Sequence, residues 1–287
     1  MDEALGIIPS LNLPDLFPSS RLATLLSHVP RRIQRRHGHH HRPLLPTSPA
    51  QDPSPRSISV VKAVAKEIQT GKVDSIFHIG DISYATGFLV EWDFFLHLIM
   101  PLASQVSYMT AIGNHERDYA RSGSVYGTPD SGGQCGVAYE SYFRMPVVSK
   151  DKLWHRPMYS SHIGIPVNVD LSFVTSVEPL LLKYQVDSVF FGHVHNYERT
   201  CVVYKNNCKG MPKKDTSGID TYDNSNYTAP VHAIVGAGGF SLDKFPKIVW
   251  NNWSSSRVSE FGYARVHATR TDVLVQVRWR YGTSLEL

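Results

Sequence analysis

Ser75-Ile76-Phe77-His78-Ile79-Gly80-Asp81-Ile82-Ser83-Tyr84 is the stretch on which the reading of this chain turns. Its first five residues read as a buried strand, and Gly80 lets the chain turn sharply before a carboxylate arrives. Met once, such a strand end is an ordinary turn. Two further apolar runs end the same way. Val106-Ser107-Tyr108-Met109-Thr110-Ala111-Ile112 stops at Gly113-Asn114-His115-Glu116, and Asp187-Ser188-Val189-Phe190-Phe191 stops at Gly192-His193-Val194-His195. In open α/β sheets ligands bind at the carboxyl ends of strands, so Asp81, Asn114 and His193 are expected to converge on one metal-capable site.

Helical patterns lie between these runs. Val60, Val61, Val64, Ala65 and Ile68 fall at helical spacing, with Gly71 placed for a C-cap. Helices are also predicted through Trp92–Leu102 and Val169–Tyr184, and late strands at Val231–Gly236 and Leu274–Trp279. Strands alternating with helices predict βαβ units and a largely parallel sheet.

The 287 residues suffice for one large domain or two small ones, and 42% hydrophobic content supplies ample core. A net charge of +4 does not argue for nucleic acid without a clustered patch. Three cysteines exclude a disulfide-stapled miniprotein. The apolar stretch Phe94–Ala103 is about half a membrane span and contains His97, so no bilayer crossing is expected. The leucines at Leu22–Leu26 follow acidic and proline-rich residues, not the basic n-region of a signal peptide.

Composition shifts near residue 57. Residues 1–56 hold nine of the 18 prolines and one aromatic, Phe17. Arg31-Arg32-Ile33-Gln34-Arg35-Arg36 with His37, His39, His40 and His41 can be read as a nucleic-acid or metal-binding arm. Poverty in aromatics favours a solvated, disordered tail instead. The expected division is a tail over 1–56, a core over 57–229, and C-terminal strands over 230–287 completing the same domain.

The three strand-end blocks, with Tyr84 three residues after Asp81, resemble the signature of the purple acid phosphatases. These are metallophosphoesterases of the calcineurin-like superfamily. The resemblance runs over roughly residues 57–287, and His155-Arg156-Pro157-Met158-Tyr159-Ser160-Ser161 and Asn196-Tyr197-Glu198-Arg199 are similar to the plant enzymes. It implies an α/β fold, a layered sandwich of two mixed β-sheets flanked by helices. It also implies hydrolysis of phosphate monoesters at acidic pH by a binuclear centre of Fe(III) and a divalent metal. Asp81 would bridge the two metals, Tyr84 and His195 would hold the ferric ion, and Asn114, His155 and His193 would hold the divalent one. Ligand chemistry does not choose among zinc, manganese and iron for that second ion. His115 would stand beside the phosphate as a hydrogen-bond donor or leaving-group acid. His162 is either a further phosphate contact or a surface histidine. The implied partner is a small phosphate ester, with neither nucleic acid nor membrane. The implied location is extracellular. Sequons at Asn226-Tyr227-Thr228 and Asn252-Trp253-Ser254 suit a secreted glycoprotein, and Cys201 and Cys208 are close enough for a small disulfide loop, leaving Cys135 unpaired.

Two departures from the family pattern stand out. Its first block, a strand ending in Gly-Asp-x-Gly upstream of the Ser57–Thr70 helix, supplies a ferric ligand and has no counterpart here; Asp52 sits between prolines with no apolar run before it. The histidine block, normally at the end of a strand, is preceded by Ser149-Lys150-Asp151-Lys152 and only Leu153-Trp154, as if an internal deletion fell near 152–153. These losses predict an impaired phosphatase. Alternative readings are a non-catalytic phosphatase-like protein that binds metal or phosphate, and a nucleotide pyrophosphatase/phosphodiesterase on the same scaffold.

Overall fold

In the computed structural model, residues 21–26, 55–122, 124, 126–145, 155–162, 168–247, 251–279 and 284–286 are described. The elements run β1 (Arg21–Leu26), α1 (Pro55–Gln69), β2 (Ser75–Ile79), α2 (Val90–Ala103), β3 (Ser107–Ala111), α3 (Asn114–Arg117), α4 (Val137–Tyr142), α5 (Leu171–Lys183) and β4 (Ser188–Phe191). They continue with β5 (Tyr197–Tyr204), β6 (Asn207–Gly210), β7 (Lys213–Lys214), β8 (Asp220–Thr221), β9 (Val231–Val235), β10 (Ser254–Val258), β11 (Gly262–Ala268), β12 (Val273–Trp279) and β13 (Ser284–Glu286).

One sheet has the order β13-β12-β11-β1-β2-β3, and the other β10-β5-β9-β4 with β6 paired to β5. Their facing sides share a core of Ile79, Ala264, Val266, Val277 and Trp279 from the first sheet with Tyr197 and Val235 from the second. On the outer face of the first sheet, α1 contributes Val60, Val64 and Ile68, and α2 contributes Trp92, Phe95, Ile99 and Leu102. This apolar stripe is what the helical spacing predicts. Complete burial of Trp92 and Phe95 contributes roughly 1.5–3 kcal/mol each to holding α2 in place. On the outer face of the second sheet, α5 packs through Val177 on Phe191, Cys201 and Val203. Asp170 caps that helix by accepting from the Ser172 and Phe173 N–H groups. The result is the expected layered sandwich of helices, two mixed sheets and helix.

Two expectations need correction. Parallel pairing among the described residues is confined to β1–β2, β2–β3 and β4–β9, because the antiparallel strands β11, β12 and β13 fill half of the first sheet. A largely parallel sheet does not describe it. The second correction concerns residues 1–56, expected to stay outside the body. Arg21–Leu26 is a central strand, antiparallel to β11 and parallel to β2. A strand there satisfies the backbone groups of two neighbours that would otherwise be open edges. The basic and histidine-rich stretch and Asp52 lie outside the described residues.

Lying parallel to β2 and upstream of α1, β1 also holds the topological place expected for the first signature strand. The sequence that follows it, Ser27-His28-Val29-Pro30, contains no carboxylate. The strand is present and its aspartate is not.

Candidate metal centre

The site is built where β2, β3 and β4 end. Gly80 turns with φ +69°, and a Cβ there would come within 2.5 Å of His155 Nδ1. Only glycine lets that imidazole lie against the turn. Gly113 is as tightly placed, since a Cβ would fall 2.2 Å from both the backbone nitrogen and Oδ1 of Asp81. Glu116 ties the two turns together. Its Oε1 accepts from the Ile82 N–H at 2.7 Å and its Oε2 from the Gly113 N–H at 2.9 Å. Burial pushes its carboxyl up to about 7, and the Asp81 carboxylate adds to that. Asp81, Tyr84 and His193 all have positive φ, at 51°, 52° and 65°. Strained backbone of this kind persists where the surroundings fix it, and it clusters at functional sites.

All seven residues singled out in the sequence come together. The Asp81 side chain is 1% exposed. Its Oδ1 accepts from the His115 N–H at 3.0 Å, and its Oδ2 lies 2.8 Å from His155 Nε2 and 3.4 Å from the Tyr84 hydroxyl. That hydroxyl is 3.3 Å from His195 Nε2. On the other side, His193 Nδ1 is 2.9 Å from Asn114 Oδ1, and the His155 and His193 rings meet edge-on at 5.5 Å. Asp81, His155 and His193 present donor atoms within 4.8 Å of one another. His115 lies over the Tyr84 ring at 4.1 Å. His162 lies at the margin, with Nδ1 3.1 Å from the Lys244 carbonyl and Nε2 3.9 Å from Asp243 Oδ1.

The donor chemistry fits cations. His155 Nδ1 is 2.6 Å from the Ile79 carbonyl oxygen and must donate to it. Its Nε2 lies 2.8 Å from Asp81 Oδ2. Two acceptors that close need a proton or a cation between them. On the Tyr84 side, burial and the Asp81 carboxylate push the phenol well above its usual range. Burial pushes His195 down to about 4, so its imidazole is neutral. A carboxylate, a phenol and a neutral imidazole converging in a buried site suit a hard cation that would draw off the phenolic proton. His155 was expected to sit loosely for want of a preceding strand. Instead it is fully buried and anchored from β2, while Gly192 N–H donates to its carbonyl at 3.1 Å.

The sequence reading missed a fourth strand end. The run Val231–Val235 stops at Gly236-Ala237-Gly238-Gly239 and delivers Phe240, Ser241 and Asp243 to the site. Phe240 stacks on Tyr84 at 4.2 Å, Ser241 hydrogen-bonds His195 Nδ1, and Asp243 Oδ2 accepts from the His195 N–H at 2.9 Å. The same pattern of apolar run, glycine and polar residue was there to be read. Arg156 was quoted only as part of a block, yet its guanidinium reaches His193.

Comparison with known proteins agrees with this architecture. The calcineurin-like phosphoesterase family model matches residues 39–197, and the iron/zinc purple acid phosphatase-like protein C model matches residues 229–278. "Probable inactive purple acid phosphatase 27" of Arabidopsis thaliana is 32% identical over 269 residues, covering 76% of this chain and 42% of that protein. A nucleotide pyrophosphatase/phosphodiesterase of Hordeum vulgare is 29% identical over 247 residues, covering 68% of this chain and 65% of the relative. Purple acid phosphatase PPD1 from yellow lupin (Lupinus luteus) seeds superposes with a TM-score of 0.72 at 26% identity, over 93% of this chain and 53% of that one. The chain thus spans about two fifths of the length of the Arabidopsis relative. With more than half of its residues matched by the phosphoesterase family, its C-terminal strands by the purple acid phosphatase one, and its fold by the lupin enzyme, the chain belongs to the purple acid phosphatases of the calcineurin-like superfamily.

Proposed function

We propose that this chain is a phosphate-monoester hydrolase scaffold with a binuclear Fe(III)–divalent centre, impaired in this copy. The observation that carries the reading is Asp81, whose Oδ2 meets both His155 Nε2 and the hydroxyl of Tyr84, the latter paired with His195. Tyr84, His195 and Asp81 would hold the ferric ion; Asn114, His155, His193 and Asp81 would hold zinc, manganese or iron. When bound, two such cations polarise the phosphate and activate water for in-line displacement.

The chain's own residues do the rest. The His115 N–H fixes the Asp81 carboxylate, and the His115 ring, lying against Tyr84, would give a proton to the departing alkoxide. Ser241 engages His195 Nδ1 and turns its Nε2 toward Tyr84. Phe240 stacks on the tyrosine ring and shields that face from water. Impairment follows from ligand count. The ferric side has Asp81 shared and no aspartate of its own, and loss of an anion should weaken a trivalent site most. The names of the Arabidopsis relatives, "probable inactive", support this view.

The test is metal content per chain measured beside hydrolysis of a simple aryl phosphate at acidic pH. Fewer than two metals, a pale protein and feeble turnover are expected. A purple preparation with two metals and robust turnover would overturn the impairment. The barley relative favours one second reading, hydrolysis of nucleotide pyrophosphates or diesters, and preference for such a substrate in the same assay would establish it. An extracellular location is part of the proposal. It is supported by the Cys201–Cys208 disulfide and by the exposure of Asn226 and Asn252.

A further inference from the structure

Arg156 is 2% exposed and lies directly against the centre. Its Nη1 is 2.8 Å from His193 Nε2, its Nη2 is 3.4 Å from Asp118 Oδ2, and its plane covers the Tyr126 ring at 4.3 Å. Asp118 is itself fixed by the Ser124 hydroxyl, which donates to Oδ1 at 2.7 Å. The guanidinium is therefore held on three sides.

A guanidinium has donors and no acceptor, and it stays charged at every accessible pH. Polarity along the contacts is fixed by that fact. Nη1 donates and His193 Nε2 accepts. A neutral imidazole that accepts at Nε2 carries its proton on Nδ1, and this proton meets Asn114 Oδ1 at 2.9 Å. Asn114 in turn donates from Nδ2 to Asp130 Oδ2 at 2.9 Å, an oxygen that also accepts from the Thr128 hydroxyl at 2.8 Å. From Arg156 Nη1 through His193 and Asn114 to Asp130, each donor meets an acceptor.

The atoms committed by this run are those a divalent ion would need. The His193 Nε2 lone pair is taken by Arg156, and the Asn114 oxygen is taken by His193. Coordination at either requires the guanidinium to withdraw or the imidazole to turn. A withdrawn guanidinium would stay buried beside a cation of its own sign.

We infer that Arg156 is a built-in competitor of the divalent ion, locking Asn114 and His193 into a hydrogen-bonded arrangement that opposes metal uptake on that side. The inference rests on the metal-centre reading above and adds a cause of impairment separate from the missing aspartate. Arg156 is here a positioning residue, acting through His193.

The experiment uses the full chain, calorimetric titration with Zn²⁺ and Mn²⁺, and metal content after desalting. Arg156→Met is expected to gain an equivalent of divalent metal, or to bind on the order of tenfold tighter or more, the scale on which partners of metal ligands act. Arg156→Lys, which keeps the charge, should gain less. Arg156→Met also strands Asp118, so the double variant Arg156→Met/Asp118→Asn provides the comparison should the single one fold poorly. Nitrogen-15 NMR of the histidines in chelator-treated wild type should show His193 as the Nδ1–H tautomer, changing in the Arg156→Met chain. Equally tight uptake by wild type and variants, or an Nε2–H tautomer, would overturn the competition while leaving the metal centre standing. No uptake by any of them would overturn both.

Discussion

Asp81 holds several partners at once, through His115 at Oδ1 and through His155 and Tyr84 at Oδ2. Asp81→Asn keeps the shape and removes the charge that two cations would share. Metal content and any turnover should fall together, by more than the roughly 10–100-fold that loss of an outer partner costs. Full metal loading of the Asn variant in elemental analysis would remove the bridging role. Gly113→Ala probes the same residue from behind. The added methyl would fall 2.2 Å from Asp81 Oδ1, so the turn must shift, at about 1–3 kcal/mol as in other overpacked sites. The expected result is a lower melting temperature with reduced metal uptake. An unchanged melt and full uptake would mean that the turn yields freely.

Strand β1 decides how much of the N-terminal region belongs to the body. It pairs with β11 from Arg21↔Ala268 to Leu25↔Ala264 and with β2 from Ala23↔Ser75 to Leu26↔His78. Removing residues 1–26 would open both neighbours in the middle of a sheet. A loss of about 4 kcal/mol or more is expected from the unpaired backbone groups, or roughly 10 °C in melting temperature for a domain this large. Thr24→Pro, which deletes one ladder donor and leaves the chain length intact, should lower it as well. Unchanged melts for both would place the strand outside the stable structure. This strand was illegible in the sequence because six residues were averaged into 56 that are rich in proline and arginine. By contrast, Ser75–Ile79 was read residue for residue, since an apolar run closed by Gly80 carries its own boundary. The candidate site was legible wherever a glycine turn follows such a run, at Asp81, Asn114 and His193. Phe240 and Ser241 carried the same signal and went unread. Arg156 could not be read at all, because its partner His193 is 37 positions away and only the docking of residues 155–162 beside the end of β4 brings them together.

Across the whole molecule, the response to acid turns in part on histidines buried in the core. His232 of β9 lies parallel to Phe191 of β4 at 5.9 Å and meets the Tyr159 ring edge at 4.9 Å, and neither ring nitrogen has a partner. Burial lowers it to about 3, and burial with the nearby His155 does the same to His78. Below its ordinary value near 6.5, an unfolded histidine takes up a proton that the folded one refuses. The unfolded state then binds more protons, so stability falls as pH drops from about 6.5 toward 3. For one such histidine the loss between pH 7 and pH 5 is about 2 kcal/mol. Glu116 works the other way, because a carboxyl raised to about 7 is protonated first in the folded state. The net slope therefore mixes opposing groups, and a difference measurement isolates one of them. His232→Phe keeps the stacked ring and removes the proton site, while Glu116 and His78 are common to both proteins. Urea denaturation at pH 7 and pH 5 should show the variant gaining about 2 kcal/mol on the wild type at the lower pH. A gap that stays constant between the two pH values would mean that His232 finds a proton in the folded protein, and that the packing around Phe191 and Tyr159 admits water.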